Sequence, residues 1–168
     1  WIIMRYGEAA PFSGNSAQPP HLRVYPTAQV LGTIPSWDWH RARVDSARYS
    51  AVYHFAQRAD ALERLGATGR IAHLAAALND IPGIGPWSVA EALQGFCGHP
   101  DAVSVGDYHL AHTVGFAFTG ERTDDAGMLR LLAPYAGHRQ RVVRLIQEAG
   151  IRKPRYGARI SIPDYRDF

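Results

Sequence analysis

"IPGIGPW", residues 81–87, places two prolines and two glycines in seven positions, with helical periodicity on both sides. Upstream, Ile71, Leu74 and Leu78 recur at helical spacing; downstream, Trp87, Ala90, Leu93 and Phe96–Cys97 do the same. A break this hard between two helices reads as a tight hairpin, and residues 70–97 are expected to form helix, hairpin, helix. Glycine is needed where the backbone turns to positive φ, expected here at Gly83 and Gly85. Pro86 suits the first turn of the second helix, where its missing N–H would have had no partner. Pro82, Gly83, Ile84 and Gly85 then present backbone amides at the positive end of that helix, which holds a phosphate without reading a base. Ser88 adds a hydroxyl to the same spot. An ordinary turn in a helical bundle remains the plainer reading of these residues alone.

Working outward, the chain keeps to helical signals. Residues 8–23, rich in Pro, Gly and Ser, read as a loop, and "YPTAQVLG" (25–32) as a short helix opened by Pro26–Thr27. A turn is expected at Pro35–Ser36. Val52, Phe55, Ala59 and Leu62 mark an amphipathic helix from about Asp45 to Leu65, stopped by Gly66. Further helices are expected over about 69–79, then from Trp87 to Gly98, and over 108–118, 124–133 and 138–149. "ARISI" (158–162) is a weak strand candidate, and no repeat or low-complexity tract is present. The pattern is all-α with short connections.

The bulk numbers agree with a globular chain. Of its 168 residues 46% are apolar and 20% charged, which excludes a disordered or fibrous class. No stretch has the roughly 18–20 apolar residues of a membrane span, so no membrane role is expected. Cys97 is the only cysteine, which leaves no internal disulfide and no four-cysteine iron–sulfur cluster within these residues and suggests a reducing, intracellular setting. Net charge is +3, but residues 138–168 carry eight Arg/Lys against three acids. That basic end suits a polyanion as well as it suits a solvated surface.

Asp107, twenty-two residues beyond Gly85, stands at the head of the next helix. Taken alone it is a helix N-cap. A cap and a catalyst are compatible, and a carboxylate near a phosphate grip and an aromatic is suited to act on a nucleotide sugar. His109 and His112 have a spacing seen in metal sites, but no carboxylate or cysteine pattern completes a ligand set.

The run "LNDIPGIGPWSVAEAL…HPDAVSVGDYHL" resembles the signature of the helix-hairpin-helix DNA glycosylases, most closely the 3-methyladenine DNA glycosylase II branch. The likeness extends from about "VYPTAQVL" to "PYAGHRQRVVRLI", some three-quarters of the chain. It implies an all-α, two-subdomain fold with the active-site cleft between subdomains: residues 24–106 with the hairpin, residues 107–151, and a basic tail at 152–168. It also implies Asp107 as the catalytic carboxylate and Pro82–Gly85 as the phosphate-binding hairpin. Main-chain carbonyls of Asn79, Ile81 and Ile84 would hold a monovalent cation, Na+ or K+. Trp87 and Tyr108 are nominated as walls of the base pocket, with core packing the alternative for each, and Trp37 and Trp39 as weaker candidates expected to be structural. Glu91, one turn beyond Trp87, faces either a cationic base or solvent. His138, Arg139 and Arg141, after the Gly137 turn, resemble a helix start that contacts the DNA backbone, with a solvated arginine face as the plainer alternative.

The resemblance further separates monofunctional from strand-cutting chemistry. Relatives that also cut the strand use a lysine as a Schiff-base nucleophile at the position of Trp87. The only lysine here is Lys153, far down the basic tail. The expectation is a monofunctional enzyme of base excision repair that removes an alkylated purine from double-stranded DNA, acts as a monomer and resides in the cytoplasm with the nucleoid. No other cofactor and no iron–sulfur cluster is expected. Relatives also carry an N-terminal segment whose helix supplies a wedge for the gap left by the flipped base; such a segment would precede Trp1, and a chain without it would bind DNA less tightly. Two alternatives stay open: a non-catalytic or truncated helix-hairpin-helix DNA-binding module, and a glycosylase for a deaminated or oxidised base.

Overall fold

A computed structural model describes residues 1–11 and 22–151. Within them the chain is helical, with nine α-helices, one 3-10 turn and a single isolated β-bridge between Ala9 and Arg23. Contacts divide it into two compact units, Trp1–His99 and a second beginning at Pro100.

The first unit is organised by one long helix. It contains α1 (Ile2–Tyr6), α2 (Ala28–Leu31), α3 (Ser36–Arg41), α4 (Ser46–Ala67), α5 (Ile71–Asn79) and α6 (Pro86–Cys97). The 22-residue α4 packs against α2, α3 and α5, and α5 packs on α6. Ala59, Leu62, Leu74, Leu78, Ala90 and Leu93 are buried as the periodicity predicts. A neighbouring cluster joins Ile2, Leu31, Ile34 and Trp39. Each leucine or isoleucine among them contributes about 1.5–3 kcal/mol when fully buried.

The second unit holds α7 (Leu110–Thr119), α8 (Asp125–Leu132), a 3-10 turn (Ala133–Tyr135) and α9 (Arg139–Glu148). Val114, Met128 and Leu132 are wholly inaccessible, and Val103, Leu110, Val143 and Ile146 complete the core around them. Val103 places residues just before Asp107 in this unit, so the division falls at 99–100 where the sequence suggested 106–107.

Carboxylates start several of these helices. The Asp45 side chain accepts the Arg48 N–H at 2.9 Å at the head of α4. Asp124 accepts the Gly127 N–H at 2.7 Å at the head of α8. Each satisfies an amide with no partner in its own helix and sets negative charge on the positive dipole end. Thr27 does the same for α2, neutrally, at 3.3 Å.

Three local expectations need correcting. Gly66 does not stop α4; a Cβ there would lie 2.4 Å from the Phe96 ring, so glycine lets α6 lean on α4, and the chain reverses at Gly69 with φ +68°. Pro35–Ser36 opens α3 rather than a simple turn, with Pro35 as its N-cap residue. The N-terminal helix α1 had no periodic signal in its five residues, and is held instead by tertiary bonds: Tyr6 donates to Asp38, and Arg5 Nε lies 3.6 Å from the same carboxylate. The strand candidate 158–162, Lys153 and the tail 152–168 lie outside the described residues.

Candidate nucleic-acid interface

The hairpin forms as its composition demands, with one difference. Ile84 N–H closes the turn onto the Ile81 carbonyl at 3.0 Å, and Ile81 is almost fully buried, anchoring the loop to its unit's core. Gly83 has φ +88°, a conformation that only glycine adopts without strain. Gly85, expected to share that conformation, is instead extended (φ −104°, ψ −178°) and serves as the N-cap of α6. The turn needs a single left-handed residue, because Pro86 already supplies the helical φ at the next position. No side chain caps α6. Its start carries backbone amides at the positive end of the dipole, and Pro82 and Gly83 beside it are exposed.

A groove of about 470 Å³ runs alongside, lined by Arg48, Ala51 and Phe55 of α4 and by Gly83, Ile84 and Ser88. The floor is set by α4 and Gly83: a Cβ at Gly83 would stand 3.0 Å from the Ala51 Cβ. Arg48 brings a guanidinium to this groove and donates to Asp45, whose carboxyl is held below the usual range chiefly by the Arg48 amide. Sequence reading missed Arg48, since nothing in its local spacing connects the first turn of α4 to a hairpin thirty-five residues later.

The carbonyls nominated for a cation sit at this turn. Ile81 O accepts the Ile84 N–H and keeps a second lone pair. Arg58 Nη1 donates to the adjacent Asp80 carbonyl at 3.4 Å, so a guanidinium already neighbours the position in sequence. Among the described residues no cluster of three or more His, Cys, Asp or Glu side chains is arranged for a metal. His112 Nδ1 is bonded to the Thr123 carbonyl at 2.8 Å, and His109 stacks edge-on against Tyr108 at 4.7 Å.

In the second unit, Asp107 is half-buried at the head of α7. Its Oδ1 accepts two amides, His109 N–H and Leu110 N–H, each at 2.8 Å. The loop that delivers it turns at Gly106 (φ +89°), whose N–H donates to Asp125 at 3.0 Å. The carboxylate is therefore oriented by backbone at two points. Tyr108 is 83% exposed and belongs to no core; Trp87, in the first unit, is also exposed, as is Glu91.

His138 and Arg139 stand at the start of α9, where sequence placed a backbone-contacting surface. The structure gives that start a partner of its own. Asp101 Oδ1 accepts the Gly137 and Arg139 amides, both at 2.9 Å, and Arg139 Nε at 2.8 Å, while Asp101 Oδ2 accepts from Arg139 Nη2. The Arg139 guanidinium holds the Asp101 carboxyl far below the usual range. His138 Nδ1 lies 3.0 Å from Arg141 Nη1. Asp101 was not singled out in the sequence; its partners are 36–38 residues away and "HPDAV" reads as a turn.

Trp37 and Trp39 separate. Trp39 is 4% exposed and packed in the first unit's core, whereas Trp37 is 71% exposed. No helix among the described residues is long and apolar enough to cross a membrane. Comparison of the chain with protein-family models, curated proteins and solved structures found no match.

Proposed function

We propose that this protein is a monofunctional DNA glycosylase acting on alkylated purines in duplex DNA. The observation that carries the reading is the hairpin: a single left-handed glycine and an uncapped α6 start, with Arg48 beside it, form a cationic, amide-rich grip for a backbone phosphate. The carbonyls of Asn79, Ile81 and Ile84 are the groups that would take a Na+ or K+ there. With the duplex held, the damaged nucleotide is flipped out of the stack, and the exposed Tyr108 ring next to Asp107 in the chain offers a π-face to a cationic base.

Breaking the N-glycosidic bond sends its electron pair to the departing base and leaves positive charge on the sugar. The Asp107 carboxylate stabilises that charge and accepts a proton from the water that adds to the anomeric carbon. Two amides fix Oδ1, so the group is oriented before substrate arrives. No amine nucleophile is needed, and the product is an abasic site with an intact strand.

A second reading, a non-catalytic DNA-binding module, is favoured by one observation. Asp107, two positions before the N-cap His109, holds the amides that begin α7, a structural duty akin to that of Asp45 and Asp124 at α4 and α8, which suffices to account for an aspartate there. Single-turnover base release from a duplex carrying 3-methyladenine or etheno-adenine separates the two. Asp107→Asn keeps an oxygen for the His109 and Leu110 amides but removes the charge. It is expected to slow release by about 10²–10³-fold with duplex binding retained, the range for losing one electrostatic stabiliser. Wild-type protein that binds the duplex yet releases no base sinks the enzyme reading and leaves the module.

A further inference from the structure

The α3 helix buries Asp38 and Trp39 and turns Trp37, His40 and Arg41 outward, at i, i+3 and i+4. Trp37 is 71% exposed and, unlike the other aromatics of this region, makes no ring contact within the described residues. Arg41, one turn beyond Trp37, has its guanidinium 5.7 Å from the Trp1 ring centroid, and Arg43 stands exposed just past the end of α3 in a left-handed conformation with φ +62°. The two nearby acids are neutralised: Asp38 is buried with Tyr6 and Arg5, and Asp45 is paired with Arg48. The outward face of α3 contains no aliphatic side chain, which disfavours a lipid surface or an apolar partner helix.

An open indole among arginines is the chemistry of unpaired nucleic acid, whose bases stack and whose phosphates pair with guanidinium. We propose that this face of α3 binds single-stranded DNA, with Trp37 as the stacking platform for one base and Arg41 and Arg43 as phosphate contacts. It is a second DNA contact, separate from the hairpin, and it does not depend on base release.

The test is fluorescence titration of the chain with an eight-nucleotide thymidine oligomer, using wild type, Trp37→Ala, Trp37→Phe and Arg41→Gln/Arg43→Gln. Wild type should show indole quenching on binding. Trp37→Ala should lose at least about fivefold in affinity, the lower end of one base–aromatic stack, and Trp37→Phe should recover most of it. Removing both arginines should flatten the slope of log affinity against log salt by about 1.4, the contribution of two single-strand phosphate contacts. Circular dichroism of Trp37→Ala should match wild type. Unchanged affinity in Trp37→Ala overturns the proposal. So does a Trp37-dependent dimer in sedimentation, or Trp37-dependent binding to anionic vesicles, without oligomer binding. Base release from damaged duplex, measured on the same Trp37→Ala sample, reports separately on Asp107 chemistry.

Discussion

Replacing Asp101 by alanine should loosen the second unit by about 2–3 kcal/mol. Two contributions make up that figure. Asp101 accepts the Gly137 and Arg139 amides at the start of α9, and losing a helix cap of this kind costs about 1 kcal/mol. It also holds Arg139 through two side-chain bonds. The partners' side chains are 18% and 33% exposed, so solvent screens the pair and it contributes about 1–2 kcal/mol, below the value for two fully buried charged bonds. The contribution also depends on pH. Because the folded carboxyl titrates well below its unfolded value of about 3.9, its stabilisation is complete above that value and is lost progressively as the pH falls below it. Urea denaturation followed by circular dichroism, with amide exchange on α9 to localise the change, measures the effect at pH 7 and again near pH 3. Asp101→Ala should be markedly destabilised at pH 7, with the gap to wild type narrowed but not closed near pH 3, and Arg139→Gln should add little in the Asp101→Ala background. A loss under about 0.5 kcal/mol at pH 7, or full additivity in the double variant, refutes the reasoning.

The two hairpin glycines should respond oppositely. Gly83→Ala forces a left-handed alanine against Ala51 and should cost about 1–2 kcal/mol in urea denaturation and weaken duplex binding, whereas Gly85→Ser meets nothing within 4 Å and should be neutral or stabilising by a few tenths of a kcal/mol as a better N-cap. Gly115→Ala on α7 brings its Cβ to 2.8 Å from the Glu121 carbonyl and 2.9 Å from the Thr123 amide, so thermal melting should fall by several degrees, since backbone atoms cannot step aside as a side chain can.

Local chemistry was legible in the sequence and distant pairing was not. The helices at α4, α6, α8 and α9 stand within a few residues of where periodicity, caps and glycine stops put them, while Asp107, expected as the N-cap of α7, lies two positions before it and still holds its first amides. The α1 and α3 helices escaped notice because five or six residues give no period to read; they exist because Asp38 gathers Tyr6 and Arg5 across the fold. Gly66 looked like a stop and is a space for Phe96, a fact about α6 rather than about α4. At the candidate site, Gly83 was identifiable from composition, but Gly85 was overread because two glycines in a turn look alike until Pro86 is allowed to do the bending. Arg139 read as a contact for the DNA backbone or part of a solvated face, and only the fold reveals that Asp101 holds it.

The carboxylates at the helix starts have a consequence for any anion that meets this surface. Asp45, Asp107, Asp124 and Asp101 already occupy the starts of α4, α7, α8 and α9, and each fills the amides that would otherwise attract a second negative group. Among the described helices of eight residues or more, only α5 and α6 begin without such an acid, and at α5 the Ile71 amide is bonded to the Gly69 carbonyl. Those four starts are thus closed to a further anion, and under the proposed function the hairpin is favoured as much by their occupancy as by its own amides.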